Sequence, residues 1–133
     1  MVIYPHFIYL FALIIDQCVT TMYSAVRSPT IVGAGLMGIQ IAVRCAKYGY
    51  PVCLFDIKPD VIKAAKKSVK DNIDVLGLMG TLKYKPHSVL SRLNFYTDLA
   101  AAVKESDLVF DIVFEKLELK RDVFNSIEKL VSL

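Results

Sequence analysis

The sequence predicts a doubly wound α/β fold, in which helices cover both faces of a parallel sheet. From Thr30 onward, short apolar runs that fit buried strands alternate with longer stretches of 3.6-residue periodicity. A glycine-rich turn joins the first apolar run to the first periodic stretch, and an acid ends the second run. These features predict about four strands in the spatial order 3-2-1-4, connected by right-handed crossovers.

The first half of this pattern contains two strands and two helices. A strand over 30–32 runs into the glycine turn, and an almost wholly apolar helix is predicted over 36–48. Val52–Phe55 is a continuous apolar run too short for a helix, which predicts a strand buried on both faces. A second helix is predicted over 59–76, because Pro59 suits a first turn and apolar residues recur at helical spacing.

The second half continues the alternation after a connection. Residues 77–91 contain two glycines and Pro86 and are predicted as irregular. Leu93–Tyr96 is predicted as the third strand, 98–105 as a short helix and 108–114 as the fourth strand. An amphipathic helix is predicted over 117–133. The fourth strand is expected to be an exposed edge of the sheet.

Composition places the chain among globular proteins of one domain. It has 133 residues, 55% of them hydrophobic and 22% charged, which suffices for a single core. The net charge of +3 is mild and most lysines alternate with acids, so nucleic acid is not predicted as a partner. The cysteines Cys18, Cys45 and Cys53 lack metal-ligand spacing, which predicts no metal site and indicates a reducing compartment.

Residues 1–25 form an apolar leader of uncertain status, and the predicted domain covers 26–133. The uncharged run at 7–15 is too short to span a membrane, for which about 20 residues are needed. It has the length of a secretory signal but no lysine or arginine precedes it, so secretion is not favoured. A start at Met22 would give the short lead-in usual before a first strand. We expect a cytoplasmic or mitochondrial-matrix protein.

The glycine-rich turn has the spacing of a Rossmann dinucleotide-binding loop. Its first glycine permits a tight turn, its second lets the backbone approach a pyrophosphate, and its third allows close packing of helix on strand. The free N–H groups at the start of the helix would bind the pyrophosphate without a basic side chain. The predicted loop residues are Gly33, Ala34, Gly35, Leu36, Met37 and Gly38.

An acid at the end of the second strand completes this motif. Asp56 follows Gly33 by 23 residues and should accept hydrogen bonds from the adenosine ribose hydroxyls. Its charge would repel a 2′-phosphate, so the predicted cofactor is NAD and not NADP. Lys58 is the nearby group that would oppose this preference.

Two other sets of residues are candidates for a site. The lysines of the second helix could contact phosphates of a large anion such as an acyl-CoA, but acids share the segment and a solvated face is the simpler interpretation. His6 and His87 have no acid or nucleophile at a telling spacing, so neither is predicted to be catalytic. The lysines are Lys58, Lys63, Lys66, Lys67 and Lys70.

With these residues in place, the chain resembles the NAD-binding domain of the L-3-hydroxyacyl-CoA dehydrogenases and their relative lambda-crystallin, a gulonate dehydrogenase. The resemblance covers roughly residues 30–130 and rests on four segments. It implies oxidation of a 3-hydroxyacyl-CoA to the 3-ketoacyl-CoA, as in fatty acid β-oxidation. The segments are IVGAGLMGIQIA, VCLFDIKPD, TDLAAAVKESDLVFDIVFEKLELK and DVFNSIEKL.

The resemblance also assigns residues beyond the loop. It implies that Glu115 and Lys120 belong to the NAD site, near the nicotinamide ribose. Asp111 stands where the family usually has glutamate, and Pro29 where its first strand usually has a hydrogen-bonding residue. Where the family's CoA-contacting serine and lysine would fall, the chain has Asn72 and Met79.

The family's catalytic histidine and its partners would lie downstream of residue 133, so no catalytic residue is assigned. Hydride transfer needs a general base within hydrogen-bond reach of the hydroxyl. The leading hypothesis is therefore a cofactor domain that binds NAD(H) and does not turn over alone, with acyl-CoA reached through a further region. Two alternatives stay open, a non-catalytic NAD-binding or regulatory module and a dehydrogenase of a hydroxy acid without CoA.

Overall fold

The computed structural model describes residues 26–112 and 117–131. The predicted leader over 1–25 lies outside this part of the chain. Within it, the four predicted strands and four predicted helices follow one another in the predicted order, and one further helix lies before the third strand. The strands are β1 (Pro29–Val32), β2 (Val52–Phe55), β3 (Leu93–Tyr96) and β4 (Leu108–Asp111), and the helices are α1 (Leu36–Lys47), α2 (Pro59–Leu78), α3 (Pro86–Leu90), α4 (Leu99–Val103) and α5 (Leu117–Val131).

The strands form one parallel sheet in the order β3-β2-β1-β4, which confirms the predicted topology. Ile31 of β1 lies between Leu54 of β2 and Phe110 of β4, and Leu54 is paired with Phe95 of β3. Because side chains alternate along a strand, this row points to one face, and its sequence neighbours point to the other.

The larger core lies on the face that α1, α2 and α3 cover. Ile31, Val52 and Leu54 are completely buried there. Helix α1 is buried on most sides, as its apolar sequence predicts, and α2 buries one stripe. The buried residues of α2 are Ile62, Ala65, Val69 and Ile73.

The opposite face carries a smaller core around α4. Val32, Phe55 and Ala102 are buried in it, and Ile127 of α5 packs against its margin. The hydroxyl of Thr30, fully buried in β1, donates to the carbonyl of Ala102 at 2.9 Å. This bond satisfies a polar group that would otherwise be costly to bury.

The first strand begins one residue earlier than predicted, at Pro29. This proline is buried and paired with Leu108 of β4. A proline lacks the N–H that a sheet interior needs, but the first position of a strand tolerates it. Asp107 fixes the segment before the strand, since its carboxylate accepts from the N–H groups of Arg27 at 2.6 Å and Ser28 at 2.9 Å.

The connection predicted over 77–91 is partly helical, so that prediction was wrong in detail. Helix α2 continues through Gly77 to Leu78, and α3 follows at Pro86. A Cβ on Gly77 would lie 2.8 Å from Cγ of Pro86, so the absent side chain allows the two helices to meet. The short helix α3 also places Val89 in the core.

The other boundaries agree within a few residues. β4 ends at Asp111, earlier than the predicted 114, and residues 113–116 lie outside the described ranges. In the part of the chain that the model describes, no helix is long and apolar enough to cross a membrane.

Candidate functional site

The turn between β1 and α1 is built on two glycines that no other residue could replace without rearrangement. Gly33 has φ +112°, a conformation that L side chains rarely adopt, and its N–H donates to the carbonyl of Phe55 at 2.8 Å. A Cβ on Gly38 would lie 1.8 Å from the carbonyl oxygen of Gly33. The first turn of α1 therefore rests directly on the end of β1.

The middle glycine faces open space. A Cβ on Gly35 would meet no heavy atom within 4 Å, and its backbone, with φ −77° and ψ −169°, is open to any residue. The folded chain by itself does not require glycine here. The free space beside the backbone suits the close approach of a ligand.

The start of α1 offers hydrogen-bond donors to that space. Ile39 is the first residue whose N–H bonds to a carbonyl of the same turn, that of Gly35, at 3.0 Å. The preceding N–H groups lack such a partner, and the N-cap residue, Gly35, has no side chain that could cap the helix. Its first turn also holds no acid. The positive end of the helix dipole is therefore available to an anion.

Asp56 lies at the carboxyl end of β2, next to the glycine turn. Its Oδ2 accepts from the N–H of Ala34 at 3.1 Å and its Oδ1 accepts from the N–H of Lys58 at 3.0 Å. The residue is half-buried. A carboxylate has about four acceptor positions, so two remain for hydroxyl groups of a ligand.

The geometry thus joins an anion-binding helix terminus to a carboxylate that can accept from hydroxyls. A dinucleotide needs both, because its pyrophosphate is anionic and its ribose carries two neighbouring hydroxyls. The predicted loop residues Gly33–Gly38 and Asp56 lie next to one another at the carboxyl ends of β1 and β2. Sequence reasoning missed the backbone bonds that Asp56 makes, because a motif shows spacing and not the direction of a carboxylate.

The side chains of two other predicted residues are not described. Glu115 lies outside the described residues, and Lys120 lies in the first turns of α5, where its side chain is not described. The end of β4 is nevertheless beside the turn, since the N–H of Ile112 donates to the carbonyl of Val32 at 2.9 Å.

Among the described residues, no cluster of side chains that could hold a metal ion is present, and the other candidate groups lie apart from the glycine turn. Over the ranges 26–112 and 117–131, no three His, Cys, Asp or Glu side chains lie close enough to hold a metal ion. His87 is exposed on α3. Burial raises the pKa of Cys45 to about 12, so its thiol is protonated at neutral pH. The lysines of α2 are exposed, and Lys70 pairs with Asp74 at 2.7 Å.

Comparisons with known proteins agree with this geometry. The family model described as "3-hydroxyacyl-CoA dehydrogenase, NAD binding domain" matches residues 28–132. The mitochondrial hydroxyacyl-coenzyme A dehydrogenase of Rattus norvegicus is 30% identical over 116 residues, which cover 80% of this chain and 36% of that protein. The 5-formyl-3-hydroxy-2-methylpyridine 4-carboxylate 5-dehydrogenase of Mesorhizobium japonicum is 31% identical over 106 residues, covering 80% and 34%.

A solved dehydrogenase structure is similar to this chain as well. The crystal structure of 3-hydroxybutyryl-CoA dehydrogenase from Escherichia coli K12 matches with a TM-score of 0.73 and 28% identity, over 79% of this chain and 22% of that chain. The present chain spans about a third of the length of the two curated relatives, 36% and 34%.

Proposed function

Because the chain belongs to the 3-hydroxyacyl-CoA dehydrogenase family and contains its NAD-binding domain, we propose that it serves as the cofactor domain of a dehydrogenase of that family. The domain is proposed to extend over residues 26–133. The reaction that it would serve is oxidation of a 3-hydroxyacyl-CoA to the 3-ketoacyl-CoA, with NAD as the hydride acceptor.

The proposed site for NAD is the turn Gly33–Gly38 together with Asp56. The pyrophosphate would lie against the first turn of α1, where the N–H groups have no partner within the helix. The adenosine ribose would donate its hydroxyls to Asp56, whose charge would disfavour a 2′-phosphate. Glu115 and Lys120 are proposed to complete the site on the nicotinamide side.

The observation that carries this proposal is the combination of an open Gly35 with a closed Gly38. Both are glycines of one turn, but a side chain at Gly38 would collide with backbone, whereas one at Gly35 would enter empty space. The fold therefore explains one glycine and leaves the other to a ligand. No described residue is proposed as the catalytic base, so hydride transfer would need groups beyond this domain.

Two alanine substitutions test the proposal on the 133-residue chain. Gly35→Ala should leave the urea midpoint unchanged and weaken NADH binding by about tenfold or more, because its methyl group would enter the pyrophosphate space. Gly80→Ala is the matched control. Gly80 follows α2 and has φ +68°, so the added methyl should cost about 1 kcal/mol of stability and leave NADH affinity intact.

Fluorescence titration with NADH and urea unfolding measure the two effects. The proposal fails if the wild-type chain shows no saturable NADH binding. It also fails if Gly35→Ala binds NADH as tightly as the wild type. A loss of affinity in Gly80→Ala equal to that in Gly35→Ala would assign the effect to stability and remove the support for this site.

A second candidate is a dehydrogenase of a substrate without CoA, as in the gulonate-like hypothesis. The relative from Mesorhizobium japonicum favours it, since its name gives a pyridine carboxylate as substrate and it is 31% identical to this chain. NADH oxidation with acetoacetyl-CoA against small dicarbonyl acids, measured on a protein that contains this domain, separates the two candidates.

The proposed compartment is the cytoplasm or the mitochondrial matrix. The rat relative is named mitochondrial, which supports a mitochondrial location for this chain. The free thiols of Cys45 and Cys53 are consistent with a reducing compartment. Fluorescence microscopy of the tagged chain with organelle markers would test the location.

A further inference from the structure

The carboxyl-terminal end of α2 exposes apolar side chains to solvent. Leu78 is 90% exposed, Met79 67% and Val75 53%, although leucine, methionine and valine are among the residues most often buried. Leu78 and Met79 follow Val75 by three and four residues, a spacing that puts all three on one face of the helix. Contiguous exposed apolar side chains, unlike single ones, point to contact with a partner or a membrane.

Lysines and a tyrosine follow this apolar face directly. Lys83, Tyr84 and Lys85 are exposed. A Cβ on Gly49 would lie 3.5 Å from the hydroxyl of Tyr84, so this segment runs beside the carboxyl-terminal end of α1, which carries Lys47 in its last turn. We call residues 75–85 the α2 tip.

Hydrogen bonds and a stacked ring hold the α2 tip in place. The carbonyl of Leu76 accepts from the N–H of Thr81 at 3.2 Å and from its hydroxyl at 3.1 Å, which closes the end of the helix. The guanidinium of Arg92 lies 4.1 Å from the ring centre of Tyr84 and donates to the carbonyl of Ala46 at 3.2 Å. The exposed side chains are therefore presented by a fixed backbone.

The positive charge of the α2 tip is not balanced by acids nearby in the sequence. The chain has no Asp or Glu between Asp74 and Asp98, and none between Asp16 and Asp56, a stretch that contains the whole of α1. Asp74, one turn before the end of α2, is itself bound to Lys70 at 2.7 Å. The α2 tip therefore differs from the rest of α2, where lysines share their segment with acids.

The α2 tip lies at the edge of the sheet opposite the glycine turn. Helices that connect parallel strands return against the strand direction, so α1 and α2 end near the amino ends of the strands. The structure shows this directly, since the N–H of Val52, the first residue of β2, donates to the carbonyl of Arg92 at 2.8 Å. Contact at the α2 tip would leave the glycine turn open.

We propose that the α2 tip binds the surface of a membrane that contains anionic lipids. Leu78 and Met79 would enter the boundary between headgroups and acyl chains, and Tyr84 would lie among the headgroups. Lys83 and Lys85 would contact the lipid phosphates, with their aliphatic stems along the apolar layer. Membranes with anionic lipids border both proposed compartments.

The mixture of side chains favours this partner over other macromolecules. The apolar centre of a protein interface is depleted of lysine, whereas here lysines adjoin the exposed leucine and methionine. A nucleic acid or an acidic peptide would contact the lysines but would give the apolar side chains no layer to enter. An anionic lipid surface offers both the charge and the apolar layer.

Cosedimentation of the 133-residue chain with vesicles tests the proposal. We expect binding to phosphatidylcholine with about one third phosphatidylglycerol to be about tenfold stronger or more than binding to phosphatidylcholine alone. The apolar residues 7–15 could also bind lipid, but no lysine or arginine precedes Arg27, so their share should not depend on anionic lipid. Equal binding to the two kinds of vesicle overturns the proposal.

A pair of double variants with the same net charge locates the electrostatic contact. Lys83→Gln with Lys85→Gln should weaken binding to the anionic vesicles about tenfold or more, since each lysine near such a surface contributes about fivefold. Lys63→Gln with Lys67→Gln removes two exposed lysines from the side of α2 and should change binding about twofold or less. Equal losses in the two variants would contradict contact at the α2 tip.

A second pair locates the apolar contact. Leu78→Gln should weaken binding about fivefold, because a polar side chain replaces one that enters the apolar layer. Ile57→Gln is the control, since Ile57 is 76% exposed at the carboxyl end of β2, on the opposite edge of the sheet. It should leave vesicle binding unchanged, and urea midpoints should show that both variants remain folded.

Other occupants of the α2 tip would give different results. Binding of polyglutamate or single-stranded RNA that requires Lys83 and Lys85, without binding to vesicles, would overturn the membrane in favour of that anion. Self-association that Leu78→Gln abolishes, again without vesicle binding, would overturn it in favour of a second copy of the chain. NADH titration decides the proposed function separately, because no residue of the α2 tip belongs to the proposed NAD site.

Discussion

The two faces of the sheet differ in how they are built. On the face toward α1, α2 and α3, the central row of strand side chains is wholly apolar, with Ile31 and Leu54 at its middle. On the other face, the row next to it contains Thr30, Cys53 and Asn94, and α4 has only five residues. The difference indicates that the first face holds most of the buried apolar core, which includes α1 and the end of the glycine turn, whereas the second holds a smaller core.

The largest expected effect on stability comes from truncating one side chain on each face of the sheet. Leu54→Ala removes a fully buried side chain from the larger core and should cost about 3 to 4 kcal/mol of unfolding free energy. Val109→Ala removes a half-buried side chain from the smaller core and should cost about 1 kcal/mol. Urea unfolding measures both, and equal losses would contradict the difference between the faces.

Thiol reactivity gives a second test, because each face holds one described cysteine. Cys45 is completely buried on the α1 side, and burial raises the pKa of its thiol to about 12. Cys53 is half-buried on the other side, and burial also raises its pKa, while the hydrogen bond with Thr30 lowers it. Since the thiolate is the reactive form, Cys53 should react with an aromatic disulfide about tenfold faster or more.

The measurement uses two variants that each keep one of these thiols, in a Cys18→Ser background. Absorbance of the released thiolate gives the rates under native conditions. A Cys45 that reacts as fast as Cys53 would mean that the larger core opens as readily as the smaller one, which would reverse the comparison.

The smallest effect on stability is expected where the amino ends of the strands lie, a part of the sheet that belongs to neither face. Partial desolvation of Asp107 opposes its ionisation, but the N–H groups of Ser28 and Arg27 together outweigh it, and the pKa of Asp107 lies below its ordinary value. A lowered pKa adds stability above the unfolded value, about 3.9, and this stability is lost as pH falls through the folded value. Asp107→Asn should therefore flatten the decline of the urea midpoint below about pH 4.

Glu105→Gln, an exposed acid two residues earlier, is the control for that measurement. An unchanged acid decline in Asp107→Asn would show that the bonds to Arg27 and Ser28 add nothing measurable.

The sequence predicts the strands and helices well because the pattern that identifies each one lies within its own residues. The apolar run Val52–Phe55 and the periodicity of α1 need no distant partner to be recognised. The glycine turn and Asp56 can likewise be recognised, because their spacing is that of a dinucleotide-binding motif. The prediction that β2 is buried on both faces is confirmed for three of its residues, and Cys53 is half-buried.

What the sequence could not predict depends on contacts between distant residues. Gly77 looks like a helix breaker, but α2 continues through it, and only the folded chain shows that Pro86 lies where a side chain at this position would be. Pro29 looks unsuited to a strand until its first position beside Leu108 is known. The bonds from Asp56 to Ala34 and Lys58 depend on the direction of one side chain. No periodicity encodes such a direction.

The attachment of the chain before β1 has a practical consequence. The chain enters β1 at its amino end, where Asp107 holds Arg27 and Ser28, whereas the glycine turn leaves the same strand at its carboxyl end. A strand of this length separates the two points by roughly 13 Å. An affinity tag or a biosensor surface coupled upstream of Val26 would therefore hold the domain by the far edge of the sheet and leave the glycine turn turned toward the solution.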